Sequence, residues 1–453
     1  MPDRAATGVP ADMEQLRILL VTSDKFPPFR PAAKAIFSAG LAAAGHAVDW
    51  VLQAADARCA AGPQAYRTGI AYVAPTNDGI GRIARLRKYW AAFRHDWIVF
   101  RLLKTRRYSL IQIKDKYVGA LIAIAAAKIY GIPVFYWLAY PHGEASSYAA
   151  GQGIARYALF YAIRGRVQTW LLYRVILPAC AHIFVQSEQM RRDIAREGIA
   201  ASRMTAVPSS VELTDIDAAR ASHGNVPTAT ANTIVYLGTL LRERRLDFLV
   251  RVLALVRLRI PEARLLFVGC GEMPEDEALL RHRAEQLGVS DAVTITGWLP
   301  IHAAWEHVSR AAICVSPYYP TAILRSTSPT KLIEYMALGK AVVANVHPEQ
   351  SAVLRQSGGG VLCGWDEAEF AEAIVFLLTH PSAAAAMGRA GRQFVAERRT
   401  HVLMARLVVT RYWQTLLQLQ ADGATRAAAS SVRMEPGVAR GRPQTVRPWT
   451  RND

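Results

Sequence analysis

The sequence predicts an α/β protein built from two doubly wound domains. In each half of the chain, short apolar runs alternate with helical stretches, and a small, polar stretch at 214–232 separates the halves. Such alternation is typical of parallel sheets that helices cover on both faces. With 453 residues and 52% hydrophobic content, the chain is long enough to bury two cores.

The first half opens with the strongest strand signal. Residues 16–22 form a continuous apolar run, as a central parallel strand requires. A helix is predicted over 32–44, closed by Gly45, with the next strand over 47–52. Further strands of this half are predicted at 110–113, 134–138 and 182–185.

The second half repeats the pattern. Its strands are predicted at 234–237, 264–268, 293–296, 313–316 and 341–344. Its helices are predicted at 247–259, 275–287, 330–338, 366–379 and 381–397, and a last helix at 400–420 is long enough to cross back to the first domain.

These elements predict where the domains begin and end. We expect an N-terminal domain at 16–213, a linker at 214–232 and a C-terminal domain at 233–399. Residues 1–15 and 421–453 lack apolar periodicity and are predicted to be disordered.

The net charge of +18 is unevenly distributed. Residues 1–211 hold 27 Lys and Arg against 13 Asp and Glu, an excess of +14, whereas the remaining 242 residues hold 27 against 23, an excess of +4. A basic half favours an anionic partner, such as acidic lipid, a phosphate-bearing substrate or nucleic acid. Nucleic acid is not expected, because the chain carries no recognised nucleic-acid-binding motif.

Cysteine usage and apolar runs bear on the compartment. The five cysteines are scattered without a CxxC pair, which argues against a disulfide framework or a zinc site and suits a reducing cytoplasm. Residues 1–15 lack the apolar core of a signal peptide, and no run reaches the roughly 18 apolar residues that a membrane span needs. We therefore expect a cytoplasmic protein.

Two basic segments in the first half interleave arginines with apolar residues. Residues 81–108 hold nine Lys and Arg against one acidic residue, together with Trp90 and Trp97, and residues 154–177 are similar. The pattern fits a surface that rests on an anionic membrane. The alternative is a set of ordinary helices that pack on the sheet and expose their arginines. We predict peripheral attachment to the inner face of the cell membrane.

The run at 328–345, SPTKLIEYMALGKAVVAN, carries the clearest chemistry. Ser328 and Thr330 are suited to cap a helix start, whose N–H groups would form an anion site with Lys331. Glu334 lies one turn further, where a carboxylate accepts hydrogen bonds from vicinal hydroxyls. A phosphate at the helix start and a ribose at the carboxylate would suit a nucleotide. The alternative is a well-capped helix in an α/β domain.

A cluster of arginines follows the first strand of the second half. The run at 237–247, LGTLLRERRLD, places Arg242 and Arg244 at the start of a helix. A planar guanidinium binds phosphate through two hydrogen bonds, so this cluster fits a diphosphate clamp.

The next two strands also end in glycine turns. The run at 267–272, FVGCGE, places Gly271 in a Gly-x-Gly turn, and the run at 296–300, TGWLP, contains Trp298. Trp298 is either a stacking platform for a base or a core residue.

Together these motifs resemble the family 4 glycosyltransferases, which have the GT-B fold, over residues 16–415. The resemblance implies two Rossmann-like domains facing a cleft, with a nucleotide-sugar donor bound by the C-terminal domain and the acceptor by the N-terminal domain. It also implies that the anomeric configuration of the sugar is retained, and that neither a cofactor nor a metal is needed.

The resemblance assigns roles to individual residues. Arg244 and Lys331 are the expected catalytic residues, since they would stabilise the diphosphate leaving group. The expected donor-binding residues are Gly238, Thr239, Arg242, Gly271, Trp298, Ser328, Thr330, Leu332 and Glu334. The expected acceptor or sugar contacts are Arg30, Asp115, His142 and Ser326.

The chain departs from the family at two donor positions. Thr239 stands where the family has an arginine, so a second phosphate cation is missing, and Arg242 or Arg325 is its expected substitute. Ser326, eight residues before Glu334, replaces a glutamate that lies near the transferred sugar. In the N-terminal domain, the glycine pair after the first strand is absent.

We therefore predict a retaining glycosyltransferase that uses a nucleotide-sugar and a glycan or polyprenyl-diphosphate-linked acceptor in cell-surface polysaccharide biosynthesis. Two alternatives share the fold: a non-catalytic, membrane-docked nucleotide-sugar-binding subunit, and a sugar-nucleotide epimerase. An epimerase needs carboxylates around the anomeric carbon, so the loss of a glutamate at Ser326 argues against it.

Overall fold

Two sheets, one in each half of the chain, form the framework of the computed structural model, which describes residues 15–30, 32–76, 79, 81–151, 157–221 and 232–432. The first sheet has the strand order β3-β4-β2-β1-β5-β6-β7-β8, and the second has the order β11-β10-β9-β12-β13-β14. Among the described strands, every neighbouring pair is parallel except β3 with β4. The predicted pair of doubly wound domains is confirmed.

The N-terminal domain consists of the first sheet and the helices around it. Its strands are β1 (Arg17–Phe26), β2 (Ala47–Ala54), β3 (Gly62–Tyr66), β4 (Gly69–Ala74), β5 (Leu110–Lys114), β6 (Val134–Leu138), β7 (His182–Val185) and β8 (Met204–Ala206). Its helices are α1 (Ala32–Ala43), α2 (Arg82–Asp96), α3 (Ile98–Thr105), α4 (Val118–Tyr130), α5 (His142–Gly151), α6 (Ala158–Leu171), α7 (Leu177–Ala179) and α8 (Glu188–Arg196). The sequence did not predict β3, β4 or β8, because β3 is a half-exposed edge strand paired with β4 and β8 has only three residues.

The C-terminal domain is built in the same way. Its strands are β9 (Thr233–Leu237), β10 (Arg264–Val268), β11 (Val293–Ile295), β12 (Ile313–Ser316), β13 (Val342–Asn345) and β14 (Gly360–Cys363). Its helices are α9 (Leu213–Ala221), α10 (Asp247–Arg257), α11 (Pro274–Gln286), α12 (Ile301–Arg310), α13 (Thr330–Ala337), α14 (Pro348–Ser357), α15 (Glu367–Thr379) and α16 (Pro381–Arg398).

Apolar cores lie on both faces of each sheet. On β1, Leu19 belongs to one buried cluster and the neighbouring Leu20 to the cluster on the opposite face. On β9, Ile234 and Val235 divide between two clusters in the same way. Because successive side chains of a strand point to opposite faces, a strand covered on both sides is apolar at most positions.

The predicted linker at 214–232 is partly helical. Its first residues lie in α9, where Ile216 and Ala219 are buried against Trp305 on the C-terminal domain. With Ile216 and Val226 as its only large apolar residues, the sequence of 214–232 gave no periodic signal. Residues 222–231, like 1–14 of the predicted disordered N-terminus, lie outside the described residues.

The last helix, α17 (His401–Val432), carries the chain back from the C-terminal domain to the N-terminal domain. At the crossing, the Val211 N–H donates to the Arg399 carbonyl and the His401 N–H donates to the Val211 carbonyl. The predicted end of this helix at 420 is wrong, because the alanine-rich residues 421–432 remain helical. Residues 433–453 lie outside the described part of the chain.

Tyr412 fixes α17 to the first sheet. Its ring makes edge contacts with Phe135 on β6 and Phe184 on β7. Its hydroxyl donates a buried hydrogen bond of 2.6 Å to Oε1 of Gln112 on β5. The helix therefore joins three neighbouring strands of the N-terminal sheet.

Within the described residues, no single helix is both long and apolar enough to cross a membrane. One bent pair, α15 with α16, reaches the required length and composition together, and the two helices meet at 101°.

Replacing Tyr412 by phenylalanine should destabilise the protein by about 1–3 kcal/mol, because Gln112 loses a buried donor while the ring contacts remain. Tyr412→Ala should cost about 3–5 kcal/mol, since the ring contacts are lost as well. Urea unfolding followed by tryptophan fluorescence measures both changes. The exposed Leu417 on the same helix provides the control, and an equal loss of stability in Leu417→Ala would contradict the assigned role of the hydroxyl.

Candidate functional site

Gly238 and Lys331 meet at the carboxyl end of β9. Gly238 has a φ of +150°, which favours glycine. A Cβ atom at this position would lie 2.7 Å from Cε and 3.4 Å from Nζ of Lys331. The glycine therefore makes room for the lysine, whose ammonium group lies close to the backbone where the strand ends.

Arg244 brings a second cation to this region. It closes the 3-10 turn Arg242–Arg244, and its Nη1 donates a hydrogen bond of 3.0 Å to the Tyr236 hydroxyl on β9. Burial raises the pKa of Tyr140, which follows β6 of the other domain, and the charge of Arg244 opposes that shift. The guanidinium therefore lies within electrostatic reach of both domains.

Glu334 lies one helical turn beyond Lys331. Burial raises the pKa of Glu334 to about 7, and the charge of Lys331 opposes the shift. Burial also lowers the pKa of Lys331, as does the nearby Arg244, whereas Glu334 raises it. Two cations and one carboxyl group thus share a poorly hydrated site with a net positive charge, as a diphosphate would require.

The predicted capping of α13 is wrong. No described side chain caps the start of this helix, because the hydroxyl groups of Ser328 and Thr330 bind Ser209 of the other domain. The Ser328 hydroxyl accepts from the Ser209 N–H at 2.9 Å, and the hydroxyls of Ser209 and Thr330 lie 3.1 Å apart. The start of α13 therefore lies at the contact between the domains. The first N–H groups of a helix have no partner within the helix, so they are suited to bind an anion.

Leu332, predicted to bind the donor, has a fully buried side chain in the apolar cluster beside the second sheet. Its side chain stabilises the fold, so only its backbone remains for a ligand.

Two glycines of the predicted glycine turns, neither of which was named as a donor contact, bring the next loops towards Gly238. Gly269 follows β10 with a φ of +141°, and a Cβ atom there would lie 2.2 Å from the Gly238 carbonyl oxygen. Gly297, after β11, forms an isolated bridge with Gly269. Both glycines directly follow predicted strands, and this position in the sequence could have identified them as site residues.

Gly271 and Trp298 occupy different surroundings. A Cβ atom at Gly271 would lie 2.6 Å from Cβ of Asp276, so the glycine permits the close turn before α11. Trp298 is 75% exposed, and the interpretation of this residue as part of a core is wrong. A stacking role stays a prediction.

The cations expected to replace the missing family arginine are engaged elsewhere. Arg242 is exposed and its Nε lies 3.6 Å from Asp276, whereas Arg325 lies 2.7 Å from Asp193 of the N-terminal domain. Thr239 is exposed, and its carbonyl oxygen lies 3.5 Å from the Tyr236 hydroxyl. The structure therefore brings Arg244, Lys331 and Glu334 together, without Arg242 or Arg325.

Ser326 is buried at the contact between the domains. Its carbonyl accepts a hydrogen bond of 2.5 Å from the Ser187 hydroxyl, and its own hydroxyl lies 3.5 Å from the Ile323 carbonyl. Its predicted contact with the sugar is untested.

A buried ionic network lies at the carboxyl ends of β1 and β5. Nζ of Lys114 lies 3.0 Å from Asp24 and 3.1 Å from Asp115, and all three side chains are buried. Asp115 has a φ of +50°, and its second oxygen accepts from the Ala139 N–H at 2.8 Å. The sequence analysis named Asp115 but missed Asp24 and Lys114, although a lysine closing an apolar strand was a usable signal.

Arg30 and His142, the other predicted acceptor contacts, border this network. Nε of Arg30 lies 3.6 Å from Asp24. His142 begins α5, and burial lowers its pKa while the charge of Asp115 raises it. The predicted residues Arg30, Asp115 and His142 are thus brought together.

Among the described residues, no group of three His, Cys, Asp or Glu side chains is placed to hold a metal ion. The absence of a metal requirement stays a prediction.

Comparison with known proteins identifies the family. The profile described as "Glycosyl transferases group 1" matches residues 231–380, and that described as "Glycosyl transferase 4-like domain" matches residues 37–209. The chain belongs to the GT-B glycosyltransferases of this group. The predicted family is therefore confirmed, and each match falls on one of the two sheets.

Two curated mannosyltransferases resemble part of this glycosyltransferase. The GDP-mannose-dependent α-(1-6)-phosphatidylinositol monomannoside mannosyltransferase of Mycolicibacterium smegmatis is 31% identical over 169 residues, which cover 36% of this chain and 43% of that protein. The enzyme of the same name from Mycobacterium tuberculosis H37Rv is 31% identical over 179 residues, which cover 39% of this chain and 46% of that protein. The matches thus span less than half the length of these relatives.

Solved structures show the same fold. A sucrose-phosphate synthase from Thermosynechococcus elongatus superposes with a TM-score of 0.68 at 20% identity, over 89% of this glycosyltransferase and 100% of that chain. HepE from Anabaena, in complex with UDP-glucose, gives 0.59 at 14% identity over 89% and 100%. At these identities the likeness establishes the fold alone.

Glu334→Gln should stabilise the folded protein more at pH 8 than at pH 5. A carboxyl pKa raised from 4.5 to about 7 means that wild-type stability falls as the pH rises through this interval, because the unfolded chain ionises first. The glutamine variant lacks this loss. Melting temperatures of both proteins across this pH range measure the difference.

The exposed Glu372 provides a matched control, since Glu372→Gln should leave a constant difference from wild type. A constant difference for Glu334→Gln as well would contradict the assigned burial of its carboxyl group.

Proposed function

We propose that this glycosyltransferase moves a sugar from a nucleotide-sugar to an acceptor hydroxyl with retention of the anomeric configuration. One observation carries the proposal: Lys331, Arg244 and Glu334 converge at the carboxyl edge of the second sheet, beside the start of α13. In open α/β sheets this edge is where ligands bind. Two cations and free N–H groups suit the diphosphate, and the carboxylate suits the ribose hydroxyls.

The proposed chemistry needs stabilisation of the leaving group. The bond between the anomeric carbon and the diphosphate oxygen breaks while the acceptor oxygen bonds to the same face of the sugar. The acceptor proton passes to the departing phosphate oxygen. Lys331 and Arg244 stabilise the negative charge that develops there, and their partial burial strengthens this effect. No side chain needs to act as a nucleophile, and no metal is needed.

The acceptor is proposed to approach from the N-terminal domain. Because burial lowers the pKa of His142, its imidazole is neutral near pH 7 and suited to hydrogen-bond a sugar hydroxyl. The ionic network of Lys114 holds Asp115 beside it. These groups face the acceptor side of the reaction.

A membrane surface on the N-terminal domain supports a lipid-linked acceptor. On α6, the side chains of Leu159, Phe160, Ile163, Val167 and Trp170 are each more than half exposed. On α2, Ile83, Leu86, Tyr89 and Trp90 are exposed among arginines. An exposed apolar stripe beside basic residues fits an anionic bilayer surface. We therefore propose peripheral attachment to the inner face of the cell membrane.

This surface and two of the related proteins support a lipid-linked acceptor. The mannosyltransferases named above act on a phosphatidylinositol monomannoside, as their names state. A glycolipid or polyprenyl-diphosphate-linked glycan, used in building cell-surface polysaccharide, is the proposed acceptor.

Lys331→Gln and Arg244→Gln should each abolish a nucleotide-induced rise in melting temperature. A panel of UDP, GDP, ADP and their sugar conjugates is added to the wild-type protein first, and one base should stabilise it selectively. In either variant, kcat/KM should fall by about 10²–10³, because a charged donor to the leaving group is lost.

Without ligand, Lys331→Gln should unfold near the wild-type temperature, since burial already disfavours the lysine charge. Arg259→Gln, at an exposed pair with Glu372 on the outside of the domain, is the matched control and should bind like wild type. A wild-type protein that no nucleotide stabilises would favour the non-catalytic subunit instead.

Replacing Phe160, Ile163 and Val167 together by serine should release the protein from vesicles that contain anionic lipid, because the apolar stripe of α6 is lost. Co-sedimentation with phosphatidylglycerol vesicles measures the bound fraction. Nucleotide binding should not change.

The control replaces Leu258, which is 80% exposed on the C-terminal domain, by serine. Unchanged vesicle binding in the triple variant would refute the assigned membrane surface.

A further inference from the structure

Four cations lie together where the central strands of the N-terminal sheet end. Lys25 on β1 pairs in register with Gln53 on β2, and Nζ of Lys25 donates to Oε1 of Gln53 at 2.5 Å. Nε2 of Gln53 donates to the backbone carbonyl of Lys88 on α2 at 3.2 Å. Lys116 follows β5, and Arg30 lies in the loop after β1. One glutamine thus holds Lys25 against the helix that carries Lys88.

The acidic residues nearby leave this cluster short of negative charge. Asp24 and Asp115 are shared with the buried Lys114, and Asp24 also pairs with Arg30. Asp96 pairs with Lys116 at 2.5 Å. With Lys114 included, the cluster contains five cations and three carboxylates, an excess of two positive charges. No described carboxylate pairs with Lys25 or Lys88.

Repulsion within the cluster is visible at Lys25. Burial, together with the charges of Lys88, Lys116 and Arg30, lowers the pKa of Lys25 to about 8. Concentrated, incompletely paired cations at a half-buried position cost folding free energy, which a bound anion would recover.

We propose that Lys25, Lys88, Arg30 and Lys116 form a second anion site, which binds a phosphate group carried by the acceptor. This inference rests on the proposed function, since it names the acceptor class of that reaction. The donor diphosphate has its own cations, Lys331 and Arg244, on the other domain. Arg30 connects the new site to the acceptor residues, because its charge acts on His142 as well as on Lys25.

The phosphate is carried either by a lipid or by a water-soluble acceptor. Lys88 lies on α2 between the exposed side chains of Leu86 and Tyr89, so the site borders the proposed membrane surface. The chemistry of recognition is the same in both cases: a dianionic phosphate meets ammonium and guanidinium groups.

The test uses the full chain with UDP and GDP both present in excess, so that the donor site is occupied. Calorimetry measures binding of sn-glycerol 3-phosphate, with glycerol as the uncharged probe. Co-sedimentation measures binding to phosphatidylcholine vesicles that contain phosphatidic acid. We expect Lys25→Gln/Lys88→Gln to weaken binding of at least one phosphate probe by about tenfold or more, with unchanged nucleotide affinity.

The matched control is Arg101→Gln/Lys104→Gln, which removes two exposed cations from α3 of the same domain. It should bind both phosphate probes like wild type. Loss of soluble-phosphate binding in the Lys25 variant assigns a water-soluble acceptor, and loss with vesicles alone assigns a lipid phosphate. Equal binding in wild type and the Lys25 variant, or equal weakening in both double variants, would overturn the proposed site. The two proposals can fail separately. If phosphate binding depends on Lys25 but no nucleotide stabilises the protein, the phosphate site is supported and the proposed glycosyl transfer is rejected.

Discussion

The return of the chain through α17 is the constraint on which the rest of the structure depends. Each sheet alone would present a basic carboxyl edge with no partner. The crossing at Val211 joins the two domains, and Tyr412 then fixes the helix to three strands of the first sheet. Because parallel strands all end at the same edge, fixing the orientation of two such sheets also fixes which loops face each other. No further element is needed to bring the functional groups of the two carboxyl edges together.

At the carboxyl edges of the two sheets, charged side chains are partly or fully buried, which disfavours their charged forms. Lys331 and Glu334 lie where burial disfavours their charged forms, and Gly238 leaves space for the Lys331 side chain. The N-terminal edge uses a different arrangement, in which Lys114 is buried but paired with two carboxylates. Among the described residues, one side of the cleft therefore carries unpaired, partly buried charges. On the other side, the paired Lys114 network lies beside Lys25 and Lys88, which pair with no described carboxylate. Partly buried charges without a full set of partners, as on the C-terminal side, are characteristic of sites that bind a charged ligand.

The sequence predicted the architecture well because both sheets are covered on two faces, so that strand segments such as 18–21 and 234–237 appear as uninterrupted apolar runs. It failed where burial is one-sided or slight, as in β3 and α9. At the candidate site, Lys331, Glu334 and Arg244 were predictable because they follow strands or begin helices in one stretch of chain. The partners of Ser328 and Thr330 were not predictable, since Ser209 lies more than a hundred residues away. The pairing of Asp24 with Lys114 was missed for the same reason, although a lysine at the end of an apolar strand was a usable signal for Lys114 itself.

The serine contacts between the domains have a mechanical consequence. The contacts of Ser187 with Ser326, and of Ser209 with Ser328 and Thr330, join the domains through small hydroxyl groups. When the domains separate, hydrogen bonds of this kind can be replaced by hydrogen bonds to water at little net cost in free energy. Separating packed apolar side chains would cost more. Residues 326–330 lead directly into α13. A rotation of one domain relative to the other therefore displaces the beginning of that helix from its contacts with the N-terminal domain. These hydroxyl groups therefore couple the position of the proposed phosphate site to the degree of opening between the domains.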